Sequence, residues 1–267
     1  MLTGRTTLVG LLGDPVSHSL SPVMQNAAFA ARGLDWAYVP LRVEQERLEA
    51  AVAGLAALAF AGANVTIPHK TAVLAFCDEL DEGAERAGSV NTLVVRDGRV
   101  HGSTTDGLAV VQVLETKGKQ VLVLGAGGAA QAVTTALAET GAALLVVAAR
   151  DAERAHALAA RLRSVFPDRE VAAAEGWPPD AAGADIVLNA TPVVDEPLVS
   201  LTPGQTAVDL AYRDDGGATA FVRAAREAGC SRVVDGLEVL VGQGAASFER
   251  WTGIEAPVEV MRRSLRA

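Results

Sequence analysis

VLVLGAGGAAQAVTTALAETGAALLVVAAR, residues 121–150, is the stretch on which the fold turns. An apolar run ends at Gly125, a glycine-rich turn follows, small residues continue to Gly141, and a second apolar run closes the segment. Short apolar runs bounded by turn residues read as strands buried on both faces, and two of them joined by a helix make a parallel βαβ unit. The turn, Gly125-Ala126-Gly127-Gly128-Ala129-Ala130, fits G-x-G-x-x-G/A with alanine in the last place. In that pattern the small residues serve a tight turn, backbone approach to a pyrophosphate, and close helix–strand packing. The helix that follows offers free N–H groups and the positive end of its dipole. The segment therefore predicts a Rossmann-like, doubly wound domain with Gly125, Ala126, Gly127, Gly128 and Ala129 against a dinucleotide.

The second strand ends in Ala149-Arg150-Asp151, with Arg154 one helical turn on. Two arginines at i and i+4 share a helix face and suit a ribose 2′-phosphate, which points to NADP. A carboxylate beside the ribose favours NAD instead, so Asp151 keeps NAD open.

Strand and helix signals alternate on both sides of this unit. Towards the N-terminus, 6–13, 36–43 and the segment around Asn64 read as strands, 20–33 and 45–58 as helices, and 71–87 as a further helix. Ser21 is expected to cap the helix at 20–33, with Pro22 in its first turn. Residues 91–103 read as a hairpin turning at Asp97-Gly98, followed by a helix near 107–117. Beyond 150 come a helix (151–164), strands at 184–190 and 206–212, a helix (217–228), a strand (231–235) and helices at 237–251 and 257–266. The fold class is α/β in two domains: an N-terminal α/β domain and the dinucleotide-binding domain.

Composition narrows the function. Lysine plus arginine number 23 against 32 aspartate plus glutamate, a net charge of −9. With no basic tract, neither nucleic acid nor an anionic membrane is an expected partner. Cys77 and Cys230 fall in helical-looking segments without a CxxC or Cys/His cluster, so no metal site or disulfide is expected and a cytoplasmic setting is. No run is long enough to span a bilayer and the N-terminus lacks a signal-peptide pattern.

Polar residues collect at the strand ends of the first half. NVTIPHK (64–70) places Asn64 and Thr66 on one face of a strand that Pro68 terminates, with Lys70 just beyond it. DPVSHSLSP (14–22) sets Ser17 and Ser19 two apart, so that in an extended segment both hydroxyls face one way and suit a carboxylate. Asn91, Asp106 and Gln243 stand out in GSVNT, TTDG and LEVLVGQGAASF.

GDPVSHSLSP, ANVTIPHK, GSVNT, TTDG, VLGAGGA, NAT (189–191), DLAY (209–212) and DGLEVLVGQGA (235–245) run in the order and spacing of one family. Through them essentially the whole chain resembles the shikimate dehydrogenase family. The resemblance implies reversible, NADPH-dependent reduction of 3-dehydroshikimate to shikimate on the route to aromatic amino acids. It implies a substrate domain of residues 1–106 plus 236–267, an NADP-binding domain of 107–235, and an active site in the cleft. By motif, Lys70 and Asp106 become the catalytic pair, Ser17 and Ser19 hold the substrate carboxylate with Tyr212 assisting, and Asn64, Thr66, Asn91 and Gln243 hold ring hydroxyls. The glycine turn, Arg150, Arg154, Asn189, Ala190, Thr191, Leu210 and Gly236 line the cofactor.

The chemistry agrees with these assignments. Hydride addition to a ketone develops charge on oxygen, which an ammonium group can stabilise and then protonate. Which of Lys70, Asp106 or a water moves the proton in the reverse direction stays open. The sequence departs from the family pattern at Thr104, at Ala149-Arg150-Asp151-Ala152-Glu153-Arg154 in place of N-R-T-x-x-R, at Pro192-Val193-Val194 and at Glu238. A quinate/shikimate dehydrogenase using NAD or both cofactors is the alternative. An amino-substituted shikimate analogue as substrate and a non-catalytic dinucleotide sensor are weaker ones, and monomer and homodimer are both open.

Overall fold

In the strand β7 (Gln120–Leu124) successive side chains enter opposite cores, Val121 and Val123 on one face and Leu122 and Leu124 on the other. Both faces of a parallel sheet are covered, which is why the strand is apolar at every inner position. The computed structural model describes residues 2–266, so the expected domain ends at Met1 and Ala267 lie outside the described residues.

The chain divides into two units, one made of residues up to Asp106 together with those from Val241 on, the other of Gly107–Leu240. The second unit continues from β7 through α5 (Gly128–Glu139), β8 (Leu144–Ala148), α6 (Ala152–Val165), β9 (Glu170–Ala173), β10 (Ile186–Asn189), β11 (Thr206–Asp209), α7 (Ala220–Glu227) and β12 (Arg232–Val234). Its sheet runs β12-β11-β10-β7-β8-β9 with every neighbouring pair parallel. Strand order reverses between β7 and β10, the switch point at which doubly wound sheets bind ligands beyond their strands' C-terminal ends. β9 is a strand that the sequence reading leaves out. Its alanine-rich EVAA carries little strand propensity, and it forms by pairing with β8.

The first unit holds β1 (Thr7–Gly13), α1 (Ser21–Ala31), β2 (Trp36–Arg42), α2 (Leu48–Ala57), β3 (Gly62–Val65), β4 (Glu79–Leu80), α3 (Glu82–Ala87), β5 (Thr92–Arg96) and β6 (Arg99–Ser103). The order is β2-β1-β3-β5-β6-β4, with β5 antiparallel to both neighbours. The expected hairpin is present, Asp97 and Gly98 both taking positive φ as a two-residue primed turn requires. The helix expected over 71–87 is instead a 3-10 turn at Ala72–Phe76, then β4, then α3. Backbone pairing overrides helical spacing there: Asp78 N and Asp81 N donate to Val100 O and Gly102 O, and the Asp81 side chain caps α3 at Ala84 N.

α4 (Asp106–Val111) is shorter than the expected helix near 107–117, its β-branched Val110, Val111 and Val113 being weak helix formers. Leu20, not Ser21, is the N-cap of α1, and Ser21 is its first residue, followed by Pro22. Cys77 ends the 3-10 turn and Cys230 follows Gly229 beyond α7, so neither lies within a helix. α8 (Gly236–Thr252) crosses the unit boundary, and its C-terminal part belongs with α9 (Val258–Ser264) to the first unit. Phe248 stacks on Phe29 at 5.4 Å between ring centroids, and Trp251 Nε1 donates to Leu93 O at 2.9 Å.

Gly62 makes that last bond possible. A Cβ there would stand 2.1 Å from Leu93 O and 2.7 Å from the Trp251 indole nitrogen. Gly62→Ala should cost at least about 2 kcal/mol of stability. Gly54→Ala, inside α2 with nothing within 4 Å, should gain about 0.5–1 kcal/mol. Urea melts of both variants check the opposite signs.

Candidate active site

Lys70 is placed by a turn, Thr66–Thr71, that follows β3. Thr66 N donates to Leu12 O, His69 N to Thr66 O, and Val90 N to Lys70 O. The fully buried His69 ring adds an anchor, Nε2 donating to Val43 O at 2.7 Å. Lys70 Nζ then donates to Asp106 Oδ2 at 2.6 Å, with both side chains largely shielded from solvent. Asp106 opens α4, and its other oxygen accepts from Asn91 Nδ2 at 2.9 Å. A buried ion pair is tolerated when its remaining hydrogen-bonding capacity is filled in this way.

The Asn91 amide is oriented in turn. Thr105 N donates to Asn91 Oδ1 at 2.8 Å, while Gln243 Oε1 lies 3.3 Å from Asn91 Nδ2. Behind it stands a buried polar layer. Asn64 Nδ2 donates to Asn91 O and to Ser247 Oγ, both at 3.0 Å, and Tyr38 OH donates to Asn64 Oδ1 at 2.9 Å. Ser247 Oγ lies 2.8 Å from Thr92 Oγ1. Asn64 thus holds its neighbours while its Oδ1 keeps a second lone pair beyond Tyr38, and the half-buried Thr66 side chain has no hydrogen-bond partner among the described residues. Residues 14–20 form a turn rather than an extended segment, with Ser19 N donating to Val16 O and Ser19 Oγ accepting from Ser21 N. Ser17 is exposed and Ser19 half-buried.

The second unit carries the glycine turn. Gly125 has φ +118°, and a Cβ there would meet Ala190 O at 2.9 Å, so only glycine suits both the turn and the contact with β10's end. Gly127, the N-cap of α5, has open space where a side chain would be. Ala126 and Ala130 are buried, and Gly128 and Ala129 are half-buried at the helix start. Open backbone at a helix N-terminus fits a phosphate group. Arg150 and Arg154 are exposed, and neither guanidinium has a hydrogen-bond or ion-pair partner among the described residues. Asp151 is the N-cap of α6, its Oδ1 accepting from Glu153 N and Arg154 N.

Beyond β10, Asn189 Oδ1 accepts from Thr191 N at 2.9 Å and from Thr191 Oγ1 at 2.7 Å. Its Nδ2 donates to Asp209 Oδ1 at 2.8 Å. Asp209, fully buried at the end of β11, also accepts from Ala211 N at 2.9 Å and from Thr219 Oγ1 at 2.5 Å. Burial pushes the Asp209 carboxyl up to about 6 despite these donors. Leu210 and Tyr212 follow it, and Gly236 sits where a Cβ would stand 2.0 Å from Ala211 O. Ala211, Tyr212, Thr219 and Gly236 share the lining of a cavity of about 120 Å³.

These features coincide with known families. Residues 11–93 match the shikimate dehydrogenase substrate binding domain, 108–201 match shikimate / quinate 5-dehydrogenase, and 236–266 match the shikimate 5′-dehydrogenase C-terminal domain. The shikimate dehydrogenase (NADP(+)) of Moorella thermoacetica is 46% identical, over 98% of this chain and 93% of that one. The chain belongs to the shikimate dehydrogenase family. A crystal structure of a shikimate dehydrogenase in complex with NADP+ superposes with a TM-score of 0.90 at 34% identity, covering 100% of this chain and 96% of the other. The Thermus thermophilus shikimate 5-dehydrogenase in complex with NADP(H) and shikimate gives 0.83 at 34% identity, covering 97% of this chain and 98% of that one.

The motifs quoted from the sequence do not name every residue that shapes this shikimate dehydrogenase family site. Tyr38 and Thr219 lie outside those motifs, while Thr92, Thr105, Asp209 and Ser247 lie inside them without an assigned role, and all six hold the assigned residues from behind. Ser247 was open to inference, since it lies four residues from Gln243 and so on the same helix face. Tyr38 and Thr219 carried no local signal. Among the described residues no helix is long and apolar enough to cross a membrane, and no three His, Cys, Asp or Glu side chains cluster as metal ligands do.

The raised Asp209 carboxyl has a measurable consequence. The folded state binds this proton more tightly than the unfolded chain, whose aspartates titrate near 4, so its contribution is full below about pH 4 and lost as pH rises through about 6. The stability of the protein relative to Asp209→Asn should therefore fall by about 2–3 kcal/mol between pH 4 and pH 7. Urea melts of the pair across that range should show the slope, and a constant difference would refute it.

Proposed function

We propose that this chain is an NADP-dependent shikimate dehydrogenase, catalysing the reversible reduction of 3-dehydroshikimate to shikimate on the way to chorismate and the aromatic amino acids. The observation that carries the reading is the shielded Lys70–Asp106 pair, Nζ to Oδ2 at 2.6 Å, in a chain with near-full-length kinship to enzymes of that name. Bound NADPH supplies the hydride. The Lys70 ammonium stabilises the negative charge growing on the substrate carbonyl oxygen and protonates it. Asp106, held by Asn91, fixes the ammonium and connects it to the proton path.

Ser17 and Ser19 bind the substrate carboxylate with Tyr212, and Asn64, Thr66, Asn91 and Gln243 meet the ring hydroxyls. Asn64 also holds Asn91 and Ser247. The turn from Gly125 to Ala129 takes the pyrophosphate, Asn189, Ala190, Thr191, Leu210 and Gly236 line the nicotinamide side, and Arg150 and Arg154 take the 2′-phosphate. Asp151 Oδ1 is turned onto the N–H groups of Glu153 and Arg154 at the start of α6, which supports leaving the 2′-phosphate to the two arginines. The partner is a small molecule, with no nucleic acid or membrane, in a monomer or homodimer of the cytoplasm.

Shikimate oxidation followed at the reduced-nicotinamide absorbance tests this, with NADP+ and NAD+ side by side and quinate as second substrate. Lys70→Ala and Asp106→Asn should each lower kcat by about 10²–10⁴-fold. Arg150→Ala and Arg154→Ala should raise the KM for NADP+ and leave that for NAD+ unchanged. Comparable wild-type rates with quinate and NAD+ would overturn the specificity.

A further inference from the structure

Asp209 is a fully buried carboxylate without a cationic partner among the residues it contacts, an arrangement that carries a desolvation cost. Its contacts lie on three segments. Asn189 Nδ2 belongs to the end of β10, Ala211 N to the segment leaving β11, and Thr219 Oγ1 to the residue that caps α7. Each segment is tied down further. Asn189 Oδ1 holds both the N–H and the hydroxyl of Thr191, whose oxygen accepts from Val193 N. The Thr219 oxygen accepts from Val222 N, and Gly236 packs directly on the Ala211 carbonyl.

All of this lies at the C-terminal ends of β10 and β11, the edge at which a doubly wound sheet meets its ligand. A neutral Asn or Ser in place of Asp209 could not accept from all three donors at these distances, because an amide presents one acceptor oxygen and a hydroxyl is shorter. The carboxylate is the one side chain of this size that is acceptor-only on both atoms.

We propose that Asp209 is a positioning residue for the cofactor, setting the shape of the loops after β10 and β11 through Asn189, Ala211 and Thr219 without touching the ligand. This rests on the assignment of Asn189, Ala190, Thr191 and Leu210 to the nicotinamide side. The substrate residues Lys70, Asp106 and Asn91 have hydrogen-bond networks of their own that do not include it. Tyr212, next to Ala211, is the one assigned substrate residue on these segments, so loss of Asp209 acts chiefly on cofactor affinity and reaches the substrate through Tyr212 alone.

The test compares wild type, Asp209→Ala, Asp209→Asn, Thr219→Val and Thr219→Ser, using the dissociation constant for NADP+ by calorimetry and the KM values for NADP+ and shikimate. Asp209→Ala should weaken NADP+ binding about tenfold, with a smaller rise, about threefold at most, in the KM for shikimate through Tyr212. Thr219→Val should weaken it about threefold, and Thr219→Ser, which keeps the hydroxyl, should restore it. Asp209→Asn should fall between wild type and alanine, since one amide oxygen can still take Asn189 and Ala211. It also keeps the test intact if the alanine variant does not fold. Folded variants that bind NADP+ as wild type does would overturn the proposal, as would equal losses for both substrates. A wild type that binds NADP+ but does not oxidise shikimate would sink the proposed activity and leave the binding comparison decisive for Asp209. A wild type that does not bind NADP+ would sink both.

Discussion

A buried asparagine amide donating to a buried aspartate organises each unit. In the first unit Asn91 Nδ2 donates to Asp106 at 2.9 Å, and in the second Asn189 Nδ2 donates to Asp209 at 2.8 Å. In both, the amide oxygen takes the backbone N–H of a threonine, Thr105 or Thr191, so the amide cannot turn over. An aspartate kept from water needs its lone pairs filled, or it becomes a protonated or strained defect. The amide is a neutral group that fills one of them while fixing its neighbours. The two pairs differ in their final partner. Asp106 meets the Lys70 ammonium, whereas Asp209 meets only neutral donors and its carboxyl is pushed up to about 6 by burial.

Sheet geometry explains why these pairs lie where they do. Strand interiors are filled with Val, Leu, Ile and Ala on both faces, leaving no room for unpartnered polar groups. Polar side chains are therefore concentrated where strands stop: Lys70 after β3, the glycine turn after β7, Asn189 at the end of β10 and Asp209 at the end of β11. At these places the backbone leaves the ladder, and its freed N–H groups are satisfied by side chains. The same logic governs Asp151, whose carboxylate caps the start of α6 through Oδ1, leaving Arg150 and Arg154 as cations without a partner among the described residues.

Much of this protein was legible from its residues in order, and for local reasons. The βαβ unit was legible because a G-x-G-x-x-A turn between two apolar runs has few other physical solutions. The hairpin at Asp97-Gly98 was legible because two consecutive positive φ angles demand such a pair. Lys70 and Asp106 were legible as motif residues, although they are 36 residues apart in the chain. The rest waited on the folded chain, because the deciding contacts are distant in sequence. Pairing with β6 turned an expected helix over 71–87 into a turn, a strand and a short helix, and pairing with β8 made a strand of EVAA. Contacts with Tyr38 and Ser247 oriented the Asn64 amide, and Thr219 gave Asp209 one of its partners. Local propensity and spacing specify turns and caps through neighbours along the chain, but a side chain's hydrogen-bond partners across a sheet exist only once the strands have met.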